Sequence, residues 1–91
     1  MADLRQEDML TVGADLATVQ RGWPLGMPVV RKLEPGLWEL RTRLTHGIAR
    51  VLFTVDNGTL VLLHAFTKKS QRIPMRELQT ARRRREDYRN A

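Results

Sequence analysis

Met9, Val12, Leu16 and Val19 recur at intervals of three, four and three, which lines them along one helical face. The spacing predicts an amphipathic helix over Asp3 to Arg21, weakened at Gly13, where glycine loses more backbone freedom than any other residue. Gly22, Pro24, Gly26 and Pro28 follow so closely on one another that a loop is predicted, with Trp23, Leu25 and Met27 folding back on the core. From Leu37 to Arg43 the period changes to two, placing Trp38 and Leu40 on one strand face and Glu39, Arg41 and Arg43 on the other. A turn at Thr45, His46 and Gly47 leads to a second strand, Ile48 to Val55. In it Ala49, Val51, Phe53 and Val55 alternate with Arg50, Leu52 and Thr54. Asp56, Asn57 and Gly58 signal a tight hairpin, because Asn-Gly readily takes the positive φ angles it requires. The third strand, Thr59 to about Thr67, is apolar on both faces, the pattern of a central strand covered on two sides. A basic connection, Lys68 to Arg72, precedes Pro74, which opens a last helix to about Arg89 because its missing N–H is not needed in the first turn. Met75, Leu78 and Tyr88 form the thin apolar stripe of that helix. The expected architecture is one α+β domain over residues 1–91: helix, loop, three antiparallel strands, helix.

Composition narrows the chemistry. The 91 residues contain no cysteine, which excludes disulfides, thiolate catalysis and the common zinc sites, and no metal or cofactor is expected. No apolar run approaches the roughly 20 residues of a membrane span. Asp3, Arg5, Glu7 and Asp8 occupy the place where a signal peptide needs an apolar block, so a cytoplasmic protein is expected.

Charge then points to a partner. The net charge is +6, and it is uneven: before Arg31 only Arg5 and Arg21 are basic, whereas fourteen of the sixteen Lys and Arg follow from Arg31 onward. A polyanion gripped by the second half gains most from this distribution, which favours nucleic-acid phosphate. No pair of helices has the short turn of a helix-turn-helix, which argues against an unrelated DNA-binding protein.

The segments Lys32-Leu-Glu-Pro-Gly-Leu-Trp-Glu-Leu-Arg41, Ala49-Arg-Val-Leu-Phe53 and Val61-Leu-Leu-His-Ala-Phe-Thr-Lys-Lys-Ser-Gln-Arg-Ile-Pro-Met-Arg-Glu77 resemble, in order and spacing, the phage-derived HigB-like branch of the RelE/ParE toxin superfamily. The resemblance covers roughly residues 25 to 88. It implies an α/β fold with helices on one face of an antiparallel sheet, and a toxin of a type II toxin–antitoxin system that cuts messenger RNA on the ribosome without a metal. It also implies a cognate antitoxin, in this branch commonly a HigA-like helix-turn-helix protein. Family members carry a further strand and short helix ahead of the segment that Asp3 to Arg21 resembles, so the resemblance implies a chain that starts about twenty residues late and lacks one sheet strand, an estimate from typical domain lengths. Ile73 stands where the family often has threonine, which forfeits a cap hydrogen bond of about 1 kcal/mol.

Cleavage by 2′-hydroxyl attack needs a base, cations for the developing phosphorane charge and an acid for the leaving 5′-oxygen. His46 and His64 are the chain's only histidines, so the resemblance to a site built from Lys and Arg fits better than a paired-histidine ribonuclease. Arg50 matches the strand arginine of the family and is assigned to phosphate charge stabilisation, with Lys68 and Lys69 in the basic turn as its catalytic companions. Arg41, Arg43, Arg72, Arg82, Arg83 and Arg85 are candidate RNA contacts, although Glu39 has the alternative of pairing with Arg41. His64 is read as an inward structural histidine with the site as its alternative, and Tyr88 as a candidate whose reach spacing does not define. Two other readings stand beside this one: a ParE-like toxin of DNA gyrase, and an inactive remnant that binds RNA or antitoxin.

Overall fold

The alternation of side chains on the strands sorts the apolar residues into two sets, and each set is closed by its own helix. A computed structural model of the chain describes residues 6–22, 30–44, 47–67 and 72–91, with side chains from residue 10 onward. Its elements are α1 (Gln6–Gly22), β1 (Val30–Glu34), β2 (Leu37–Leu44), β3 (Gly47–Asp56), β4 (Thr59–Thr67) and α2 (Met75–Arg89). The strands form one antiparallel sheet in the order β1-β2-β3-β4. No helix among the described residues is long and apolar enough to cross a membrane.

Three expectations require correction. The sheet has four strands, because Val30–Glu34 pairs with β2 ahead of the three that periodicity identifies. This strand is short, and its exposed Arg31 and Lys32 break any apolar alternation. The available signal was Pro35-Gly36: Glu34 pairs with Leu37 across these two residues, and Gly36 at φ 78° takes the conformation that glycine tolerates best. Secondly, β4 lies at a sheet edge, and β3 occupies the centre with β2. Thirdly, the helices lie on opposite faces. Val12 and Val19 of α1 pack with Leu40, Ala49, Val51 and Phe53, whereas Ala81 of α2 packs with Leu37, Leu52 and Leu63. That arrangement explains the double-sided apolar character of β4: Leu60 and Ala65 join the first cluster, and Val61 and Phe66 the second.

Two irregularities in register aim side chains toward α2. In β4 the pairs Leu52–His64 and Phe53–Leu62 leave Leu63 as the extra residue, so Leu63 and His64 both serve the α2 face. In β1 the shift between Lys32 and Glu34 pairs Glu34 with Leu37, so Glu34 reaches Arg82 and Arg85 on the α2 side where Leu33 already lies. The Asn57-Gly58 turn has φ 52° and 78°, as the hairpin signal predicts. Gln20 of α1 fastens that turn from the other face, donating to the Gly58 carbonyl and accepting from the Leu60 N–H at 2.8 Å.

The stripe on α2 also differs from the expected one. Met75 and Tyr88 are exposed, and the contact is made by Leu78 and Ala81, with Ala81 fully buried. Pro74 caps the helix in an extended conformation with no side-chain cap bond, and its carbonyl accepts from the N–H groups of Glu77 and Leu78. The expected returns of Trp23, Leu25 and Met27, the turn at Thr45 and His46, and the start of the basic connection lie outside the described residues.

Candidate nucleic-acid interface

Strand alternation and register place Arg41, Arg43 and Arg50 on the α2 face, together with Glu39 and Arg31. Arg41 is the direct cross-strand neighbour of Arg50, and Arg31 that of Glu39. The structure changes how these charges are used. Arg50 is 1% exposed and Glu39 0% exposed, and Arg50 Nη1 donates to Glu39 Oε2 at 2.8 Å. The second carboxylate oxygen lies 3.3 Å from Arg31 Nη2. A charged pair is retained in such a place only when each partner compensates the other's lost hydration. Glu39 therefore pairs with Arg50 and Arg31, in place of the Arg41 pairing considered from sequence.

Around this buried carboxylate the cations are in excess. Four arginines, Arg31, Arg41, Arg43 and Arg50, share the sheet face with Glu39. Like charges in close array raise the local potential and favour an anion brought beside them. Arg43 is exposed, and Arg41 is half-buried with its Nε removed from solvent and given no hydrogen-bond partner among the described residues. Arg72 is exposed at the approach to α2, while Lys68 and Lys69 lie outside the described residues.

His64 continues the same face beside Phe66, on whose ring it stacks at 5.6 Å between centroids. Its Nδ1 faces Arg84 Nη1 at 3.1 Å, and its Nε2 faces Glu77 Oε2 at 3.0 Å. A guanidinium has only donors, so Nδ1 accepts and Nε2 carries the hydrogen that Glu77 accepts. Both ring nitrogens thus face side chains of α2. Arg84 Nη1 also donates to the Leu63 carbonyl at 3.0 Å, so the pair fastens α2 to β4.

The remaining candidates fall elsewhere. Arg82 Nε donates to Glu34 Oε1 at 2.8 Å, and Arg85 donates to Glu34 Oε2 at 3.2 Å and to the Pro35 carbonyl at 3.1 Å. These two arginines tie α2 to the β1–β2 turn, and Arg83 is exposed beside them. Tyr88 donates to Asp56 Oδ2 at 2.7 Å, a bond that pushes its hydroxyl pKa above the ordinary tyrosine value. It borders an open cleft of about 550 Å³ with Thr54, Val55, Asp56, Arg89 and Ala91. Asp56 stands six positions along β3 from Arg50, roughly 20 Å at strand rise, so Tyr88 does not join the Arg50 cluster.

Glu34 provides a pH dependence. The hydrogen bond from Arg82, with a further contribution from Arg85, outweighs burial and holds its carboxyl below the usual glutamate range. A depressed carboxyl contributes stability above its unfolded pKa and loses it as pH falls through the folded value. Melting temperature is therefore expected to drop between about pH 5 and 3, and Glu34→Gln should flatten that part of the profile while costing about 1 kcal/mol at neutral pH. An unaltered acid limb in the variant would show that the Arg82 contact contributes nothing.

No curated protein and no solved structure matches the chain. A family model does: residues 1–86 match the family described as phage derived protein Gp49-like (DUF891). With a four-stranded antiparallel sheet, two helices and a basic sheet face, the chain belongs to this Gp49-like family, which is part of the RelE/ParE-like toxins of toxin–antitoxin systems.

Proposed function

We propose that this protein is a HigB-type toxin that acts in the cytoplasm as a metal-independent endoribonuclease on ribosome-bound messenger RNA. The observation that carries the reading is the α2-side sheet face, which four arginines share with one buried carboxylate, Glu39, paired to two of them, Arg31 and Arg50. Such a face offers forked donors in net excess to a phosphate, and arginine suits this better than lysine because its donors are coplanar. Arg41 and Arg43 are the phosphate contacts, Arg72 is exposed at the approach to α2, and Lys68 and Lys69 are proposed as catalytic companions on the family resemblance alone. Arg50 is the anchor of the face: with 1% exposure and Glu39 at 2.8 Å, it holds the carboxylate that Arg31 also meets. The antitoxin partner implied by the family is proposed to be a HigA-like helix-turn-helix protein.

The burial of Arg50 also favours a second reading, a ParE-like gyrase toxin, which needs no arginine converging on a scissile phosphate. Induced expression in bacteria, with primer extension on one translated and one untranslated message, separates the two. Cuts confined to the translated message are expected, reduced about tenfold or more by Arg41→Ala with Arg43→Ala, since a hydrogen bond to a charged group contributes about 1.5–3 kcal/mol. Growth arrest with intact message and trapped gyrase–DNA complexes would replace the ribonuclease reading by the second. Absence of arrest from a folded chain would leave the inactive remnant.

A further inference from the structure

Arg31 escaped assignment because it sits on β1, the strand that periodicity does not reveal. It is nevertheless the exposed end of a line of charge that runs across three strands: Arg31 on β1, Glu39 on β2 and Arg50 on β3. The two ends differ sharply, since Arg31 is 57% exposed and Arg50 1%. Glu39 Oε2 is committed to Arg50 by a hydrogen bond, whereas Oε1 holds Arg31 by charge at 3.3 Å without hydrogen-bond geometry. Among the described residues that contact engages only part of a guanidinium with five donors. One carboxylate between two guanidiniums also leaves the line positive, and the excess emerges at the solvent-exposed end.

We infer that Arg31 is a phosphate-binding residue of this face, and that the buried Glu39–Arg50 pair is the device that places it. The inference rests on the RNA-binding reading above and extends it to an edge strand and a residue outside the expected set. A side chain anchored from below by a buried carboxylate loses less rotamer freedom on meeting a phosphate than a fully solvated arginine does. The bound strand would then cross the sheet from Arg43 and Arg41 toward β1, the side away from β4.

The test is binding of a short fluorescein-labelled single-stranded RNA of mixed sequence to the full chain, measured by anisotropy over a range of salt concentrations. Arg21→Ala serves as the control, because Arg21 lies exposed on α1, on the other side of the sheet, and its loss changes net charge equally. Arg31→Ala is expected to weaken binding about tenfold and to reduce the slope of log affinity against log salt by about 0.7, the share of one phosphate contact on a single strand. Arg31→Lys should restore the slope but only part of the affinity, because it returns a charge without the fork. Arg21→Ala should leave the slope unchanged. If Arg31→Ala and Arg21→Ala behave alike while the native chain binds, the assignment of Arg31 is overturned and the RNA reading stands. If the native chain fails to bind RNA at any salt, both are overturned. Circular dichroism of each variant, together with Arg31→Gln, which keeps the side-chain stem, separates lost contact from lost fold.

Discussion

Replacing Glu39 by alanine is expected to lower the unfolding free energy by about 3–5 kcal/mol, the usual cost of removing one partner from a buried ion pair. The reason is what remains. Arg50, 1% exposed, would keep its charge with no carboxylate at 2.8 Å to compensate its lost hydration. For a domain of this length the total stability is roughly 5–14 kcal/mol, so the variant should sit near its unfolding midpoint in moderate urea. The decisive comparison is the double variant Glu39→Leu with Arg50→Met, which should regain most of the loss because apolar residues of similar volume commonly replace a buried pair at little cost. A single-variant loss below about 1 kcal/mol would mean that the pair is solvated and behaves like a surface contact.

Phe53→Ala should be comparably severe, about 3–5 kcal/mol for a large aromatic truncated in a packed core. Phe53 is wholly buried on the α1 side of central strand β3, in one cluster with Val12, Val19, Leu40 and Val51. Across the strands it faces Trp38 on β2 and Leu62 on β4, and its ring stacks on Trp38 at 6.2 Å between centroids. Trp38 carries Lys32 over its ring at 5.9 Å, so its outer side is already occupied by β1. Its described neighbours, Trp38, Leu40, Val51, Val12 and Val19, are fixed on strands and α1, so they close the gap only by moving those elements. Urea unfolding with an unchanged slope and a lower midpoint is the expected signature. A loss under about 1.5 kcal/mol, the range of volume-conserving core exchanges, would indicate that α1 collapses onto the gap.

These two residues also mark what differs between a local and a tertiary reading. Phe53 and Trp38 were legible as core because a strand buried on one face must alternate, and alternation is a property of neighbours in sequence. The same rule located β2, β3 and β4, placed Arg41 and Arg43 on one strand face and Arg50 with Leu52 and Thr54 on another, and identified the Asn57-Gly58 turn from its positive-φ requirement; the register then put all three arginines together. Helix α1 followed from Val12, Leu16 and Val19, for the corresponding reason at a period near 3.6.

Other features depend on groups far apart in the chain. The burial of Arg50 goes with its bond to Glu39, eleven residues away, a pairing across strands that periodicity within one strand does not reveal. Arg82 and Arg85, half a chain from Glu34, look like a solvated cluster until the β1–β2 turn is brought beneath them. The edge position of β4 was hidden because helices on opposite faces give an edge strand the apolar pattern of a central one. Sequence by itself thus determined the alternating strands, the first helix and the strand faces on which the cations stand, since these obey local geometry. Only the tertiary structure decided which arginine is buried, which is held outward and which braces a turn, because a charge takes its role from the partner and the solvent it meets after folding.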